Sequence, residues 1–194
     1  MEKLIYVCDN SLSKTFCDDV ILKYENNLSL SHDGYTIGGV NKNIKDTTDL
    51  NIPLVNNNIL FNLNDVLYNS LIIHVKEYCK KLEDKYGMKI IKTQKLYDYG
   101  YMIQKYEKNK GKYIYHNDFA HDAFYKKRRV LTYLWYLNNV DEGGKTEFWK
   151  RTFIKPEIGK LLLFPASWTF PHCGQMPISN DKYIITGWLY EDDV

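Results

Sequence analysis

The sequence predicts a mainly β protein with supporting helices: an α+β chain in which two N-terminal helices brace one sheet of a β sandwich or barrel. Three observations carry this. Tyrosine supplies 17 of 194 residues and aromatics together reach 15%, a composition suited to pleated, half-buried surfaces. The hydrophobic period changes from 3.6 to 2 after Gly87. From there, short aromatic and β-branched runs alternate with turn residues, with no βαβ alternation and no internal repeat.

Ser13 to Asn27 reads as the first helix. Ser13 can cap it, and Phe16, Val20 and Tyr24 recur at helical spacing. Leu28 to Pro53 is polar, carries Gly34, Gly38 and Gly39, and reads as loop with one edge strand at most. Asn64 to Tyr86 is the strongest helix. Val66, Leu67, Leu71, Val75, Tyr78 and Leu82 make one stripe, Asn64 can cap the start and Gly87 suits the stop. Strands are expected at Leu96–Tyr106, Tyr113–Tyr115, Val130–Leu137, Thr146–Phe148, Leu161–Phe164 and Tyr183–Tyr190, separated by turns such as Asp141-Glu142-Gly143-Gly144. The expected layout is one domain over 1–194, with 1–95 as helical support and variable loops and 96–194 as the β core. A chain of this length buries roughly 70% of its unfolded surface and needs no staples.

Composition narrows the function classes. Charged residues are 26% of the chain and the net charge is +2, which gives no global argument for nucleic acid or an acidic membrane. Cys8, Cys17, Cys79 and Cys173 form no C-x-x-C pair. Met1 to Asn10 lacks the apolar run of a signal peptide, and no stretch approaches the roughly 18 apolar residues of a membrane span. A cytoplasmic, reduced protein is the expectation. Zinc hydrolases and deaminases would carry H-E-x-x-H or C-x-x-C signatures, which are absent.

The chemistry-bearing residues come in a suggestive order. His116-Asn117-Asp118 leaves a strand, so a nitrogen and an oxygen ligand point the same way. His172 follows past an apolar strand and a proline-marked bend, and Lys182 opens the last strand. Two imidazoles and a carboxylate suit one face of an octahedral Fe(II), leaving the other face open. Lys182 shares a strand face with Ile184, Thr186 and Trp188, and an ammonium aimed at a core needs an anion. Each piece is ordinary alone: acidic residues are frequent in this chain, a loop histidine is common and a strand often opens on a solvated lysine.

Taken together, residues 106–190 resemble the catalytic domain of Fe(II)/2-oxoglutarate dioxygenases, specifically the prolyl 4-hydroxylase-like branch. The resemblance is carried by Tyr106…Gly111-Lys112-Tyr113…His116-Asn117-Asp118, Arg129-Val130-Leu131-Thr132 running to Tyr136-Leu137-Asn138, Glu142-Gly143-Gly144-Lys145-Thr146-Glu147-Phe148, Pro156…Gly159-Lys160-Leu161-Leu162-Leu163-Phe164, His172…Pro177 and Lys182-Tyr183…Thr186-Gly187-Trp188. It implies a double-stranded β-helix, a cupin-like jelly roll with iron between two sheets. It implies His116, Asp118 and His172 as catalytic iron ligands, and Lys182 and Tyr106 on the C5 carboxylate of 2-oxoglutarate. Thr186 and Tyr136 are implied to line the same pocket, and Trp188 to sit near the iron or in the core. The implied activity is oxygenation with O2: hydroxylation of a C–H bond, a peptidyl proline first, coupled to decarboxylation of 2-oxoglutarate to succinate, with ascorbate as an accessory reductant. The alternatives are a free amino acid, nucleobase or other small molecule as substrate, or a binding module that keeps the motif without turnover. Nucleobase demethylases of the superfamily carry paired arginines after the distal histidine; here the stretch holds Lys182 and no arginine, which argues against nucleic acid.

Other features read as structural. Lys126-Lys127-Arg128-Arg129 suits a solvated turn, with an anionic substrate as its alternative. His121, Phe119, Phe124 and Tyr125 fall on a polar, aromatic loop that can cover the site. Lys45 to Leu50 reads as a cap before a turn, or else a mobile cover. The Gly143-Gly144 turn and Thr146 read as structural, and Cys173 as a poor ligand beside a complete triad.

Overall fold

A computed structural model describes residues 2–52, 61–89, 91, 95–122 and 127–192. The N-terminal half contains β1 (Tyr6–Cys8), α1 (Lys14–Glu25), β2 (His32–Asp33), β3 (Tyr35–Thr36), β4 (Gly39–Val40), β5 (Lys45–Asp46), β6 (Thr48–Ile52) and α2 (Asn64–Tyr86). The next strands are β7 (Leu96–Asp98), β8 (Tyr101–Tyr106), β9 (Lys112–His116), β10 (His121–Asp122), β11 (Lys127–Tyr136) and β12 (Thr146–Phe148). The chain closes with β13 (Thr152–Ile154), β14 (Leu161–Pro165), β15 (His172–Gly174) and β16 (Lys182–Asp192).

The helices form where sequence places them. Ser13 Oγ accepts from the Phe16 backbone N–H and caps α1. Gly87 ends α2 in the left-handed conformation, φ 70°, which glycine adopts without a Cβ penalty. Leu67, Leu71, Val75, Tyr78 and Leu82 are buried, whereas Val66 is exposed. Asn64 is the first helical residue rather than the cap, because a short 3-10 turn over Phe61–Leu63 leads into the helix.

Two antiparallel sheets face each other. The major sheet runs β1-β14-β11-β16-β8-β6-β2, with β10 on β11 and β7 on β16; the minor sheet runs β13-β12-β15-β9-β5. Period-2 alternation sorts the side chains of the major sheet. Tyr133, Trp135, Leu161, Leu163 and Ile185 face the helices. Leu134, Tyr136, Leu162, Phe164 and Ile184 face the minor sheet, where Phe148 meets them.

Three expectations need correction. The stretch expected as one strand over Leu96–Tyr106 breaks at Gly100, φ 116°, into β7 and β8. The stretch expected as loop over Leu28–Pro53 holds five short strands, and β6 lies inside the major sheet between β8 and β2. Residues 1–95 therefore supply strands to both sheets as well as helices. The Lys45–Leu50 segment is neither cap nor cover: β5 joins the minor sheet, β6 the major one. An ion pair hides this from sequence. Lys45 Nζ meets Asp49 Oδ2 at 2.6 Å with both side chains buried, so charged residues occupy positions that read as surface. The pair ties the sheets together where the chain crosses between them.

Breaking a buried pair strands a charge. Asp49→Ala is expected to lose about 3–5 kcal/mol in urea unfolding, whereas Lys45→Met/Asp49→Leu, which removes both charges, recovers most of that loss.

Candidate active site

A cavity of about 380 Å³ opens between the two sheets. Its major-sheet wall is built by period-2 side chains: Met102, Gln104 and Tyr106 on β8, Thr132 and Leu134 on β11, and Lys182, Ile184, Thr186 and Trp188 on β16. The face expected for β16 is therefore the one that lines the cavity. Arg129 joins the same wall although its parity differs from Thr132, because the β11 register shifts between Arg129 and Leu131. The minor sheet contributes Tyr113, His116, Thr146, His172 and Gly174.

His116, Asp118 and His172 converge. The ligand atoms they offer lie within 4.8 Å of one another. His116 ends β9 and is the register partner of His172 at the start of β15. Asp118 lies 3.7 Å from His116 Nε2 and 3.6 Å from His172 Nε2, too far for hydrogen bonds and near enough to share one ion. His116 Nδ1 sits 2.8 Å from the Ile114 carbonyl, and His172 Nδ1 sits 3.0 Å from the Phe170 carbonyl. A carbonyl only accepts, so each Nδ1 carries the proton and each Nε2 is left as a free lone pair. Thr132 donates to Asp118 Oδ2 at 2.8 Å.

Electrostatics prepare the same three groups. Burial, then the neighbouring His172, lowers His116 to about 4, so its imidazole is neutral at physiological pH. Burial pushes Asp118 up, but His172, His116 and the Thr132 hydroxyl outweigh it and hold the carboxyl below its ordinary range. The set fits a divalent metal: one anionic oxygen and two imidazole Nε2 atoms whose rings are held from behind by backbone carbonyls.

Lys182 is 1% exposed. Its ammonium donates to the Gly144 carbonyl at 2.9 Å and to the Gln175 carbonyl at 3.4 Å, and stands 3.8 Å over the Tyr106 ring. It has no carboxylate partner among the described residues, and burial lowers it to about 7. Tyr106 is buried beside it and donates to Gln104 Oε1 at 3.3 Å. Thr186 lines the cavity while its hydroxyl donates to the Tyr133 carbonyl at 2.9 Å. Tyr136 stands one layer back: its phenol donates to Thr146 Oγ1 at 2.6 Å, and Thr146 is the residue on the cavity wall.

Several wall residues escape sequence reading. Gln104 and Thr132 share strand faces with Tyr106 and with Leu134, and that alternation is the signal that could have found them. The basic run expected as a turn is strand over Lys127–Tyr136, with Arg129 on the cavity and its guanidinium 3.6 Å over the Trp188 ring. Arg129 Nε and Trp188 Nε1 are buried without a hydrogen-bond partner among the described residues. His121 is exposed in β10, outside the metal cluster. Phe119 is on the rim, while Phe124, Tyr125 and Lys126 lie outside the described residues. The Cys173 thiol points to Glu147 rather than to the cluster.

No curated protein matches the sequence. Among solved structures the chain is similar to a viral collagen prolyl hydroxylase from Paramecium Bursaria Chlorella virus-1 in its 2OG complex, at 19% identity and TM-score 0.69, covering 97% of this chain and 96% of that one. It is also similar to a Pseudomonas putida prolyl-4-hydroxylase, at 14% identity and TM-score 0.70, covering 97% and 93%. A Trichoplax adhaerens prolyl hydroxylase, solved with a hypoxia inducible factor oxygen degradation domain peptide fragment, aligns at 18% identity and TM-score 0.73, covering 97% and 84%. These likenesses establish a shared jelly-roll fold. Residues 101–190, which hold the whole His-Asp-His cluster and Lys182, match the family profile of the 2OG-Fe(II) oxygenase superfamily.

Proposed function

We propose that this chain is an Fe(II)- and 2-oxoglutarate-dependent hydroxylase whose substrate is a peptidyl proline. The observation that carries the reading is the pairing, in one cavity, of a convergent His116–Asp118–His172 set with a buried Lys182 that has no carboxylate partner among the described residues. In this reading His116, Asp118 and His172 ligate the metal. Lys182 holds the far carboxylate of 2-oxoglutarate, Tyr106 lies beneath its ammonium, and Thr186 and Thr146 shape the walls. Iron and 2-oxoglutarate, when bound, would supply the oxidising chemistry with O2 as oxidant: one oxygen atom goes into succinate as 2-oxoglutarate loses CO2, and the other into a substrate C–H bond.

The protein's own part is placement. Thr132 keeps Asp118 aimed, and the Ile114 and Phe170 carbonyls keep both Nε2 atoms toward the ion. Arg129 and Trp188 line the cavity wall and carry buried donors, unpaired among the described residues, that a bound substrate can reach only by entering that wall. A peptide rather than a free amino acid is favoured by the rim, where Tyr35, Ile37 and Phe119 line the mouth and are more than half exposed. The chain acts as one domain over 1–194, and four free cysteines suit a reducing cytoplasm. No helix among the described residues is long and apolar enough to cross a membrane.

Incubation of a proline-containing peptide with Fe(II), ascorbate and 2-oxoglutarate should add one oxygen by mass spectrometry; hydroxylation of free amino acids or an oligonucleotide instead would redirect the substrate. His116→Ala is expected to abolish Fe(II)-dependent succinate production, and retained production would remove the metal assignment. Lys182→Ala should weaken 2-oxoglutarate binding by about 2–5 kcal/mol, the loss on removing one partner of a desolvated charge pair. The pH dependence has a definite sign. Binding favours the ammonium form, and burial lowers Lys182 to about 7. Affinity should be level below that pH and fall as pH rises above it, by up to about tenfold per unit. A flat profile in the wild type, measured by calorimetry with Mn(II) in place of iron, contradicts the Lys182 role.

A further inference from the structure

We infer that Tyr113 is a positioning residue for the metal ligand His116, and that Lys45 and Asp49 hold Tyr113 in place. The inference rests on the metal reading of His116 given above. The two histidines are held differently. His172 is 6% exposed and enclosed by aromatic rings, with Phe164 edge-on at 4.8 Å and Phe148 at 5.5 Å. His116 ends its strand and its side chain is 16% exposed against 8% for His172; among the described residues its ring meets only the His172 ring, tilted at 4.3 Å, and Tyr113. One hydrogen bond, from Nδ1 to the Ile114 carbonyl, tethers it. A single bond to a ring edge leaves the ring free to rock about that contact.

Tyr113 removes this freedom. Its ring lies against the His116 imidazole with centroids 3.5 Å apart and planes within 13°, a flat stack. The phenol ring is braced in turn. Lys45 is the register partner of Tyr113 across β5 and β9, and its ammonium lies 5.5 Å from the ring centroid, within cation–π range. Asp49, in the other sheet, takes that ammonium at 2.6 Å, and Gln104 Nε2 also reaches Asp49 Oδ2 at 3.4 Å. Gly34 permits the packing, since a Cβ there would stand 3.1 Å from Lys45 Cε and 2.1 Å from Thr47 Oγ1. A continuous line of contacts thus runs from Asp49 in the major sheet through Lys45 and Tyr113 to His116 in the minor one. Its use is to fix the plane of the more exposed of the two ligand rings. Orientation of a ligating imidazole by its neighbours typically governs metal affinity by about 10–100-fold.

Two readouts test this. Mn(II) titration by electron paramagnetic resonance should show about tenfold or greater weakening in Tyr113→Leu and Tyr113→Val, two truncations that guard against one failing to fold. Tyr113→Phe, which keeps the stack, should bind as the wild type does. Lys45→Met/Asp49→Leu should fall between. In the metal-free protein, the His116 Nδ1–H resonance should be sharp and slow to exchange in the wild type and Tyr113→Phe, and broadened in the truncations. Folded truncations with wild-type Mn(II) affinity and a sharp resonance overturn the inference, as does a Tyr113→Phe protein as impaired as Tyr113→Leu. A wild type that binds no Mn(II) but keeps the ring resonance pattern overturns the metal reading instead, and leaves the stack established.

Discussion

Charge buried between two sheets is the constraint on which the rest of this molecule depends. Lys45, Asp49, Asp118 and Lys182 are all nearly inaccessible to solvent. An unpaired ion in such a place is costly, and each therefore requires a partner of the right sign or enough dipoles to replace water. Lys45 and Asp49 satisfy each other. Asp118 is held between two imidazoles and a hydroxyl. Among the described residues Lys182 has only two carbonyls and an aromatic face, and burial lowers its pKa.

The jelly roll turns that constraint into a site. Facing sheets put alternate residues of β8, β11 and β16 on one wall and the ends of β9 and β15 on the other. Ligand set and ammonium then share a cavity without any long loop between them. The helices face the opposite side of the major sheet, so they stiffen the wall without entering the site. The two histidines sit at strand ends and Asp118 just past β9, while β8, β11 and β16 carry the facing wall.

Much of this was legible in sequence. Periodicity located α2 to the residue and gave most strands of residues 96–192. It also put Lys182, Ile184, Thr186 and Trp188 on one face. Legibility failed where polar residues are buried. β5 and β6 read as loop because Lys45, Thr48, Asp49 and Asn51 carry no apolar alternation, and only their ion pair and register explain their place. Arg129 read as part of a solvated turn because the run from Lys126 carries no apolar alternation, although β11 already begins at Lys127. Tyr136 was placed on the right face at the wrong depth, since spacing cannot tell that Thr146 comes between it and the cavity. The groups that fix both histidine tautomers are backbone carbonyls, which every residue possesses and no motif can single out.

The central claim is that metal ligands and Lys182 serve one bound dicarboxylate. Equilibrium binding of 2-oxoglutarate, measured with and without Mn(II), tests it most directly, because two ligands sharing a site must each raise the other's affinity. The account predicts one 2-oxoglutarate per chain, bound more tightly when metal is present, with metal bound more tightly by the same factor when 2-oxoglutarate is present. Affinities that ignore each other would contradict it.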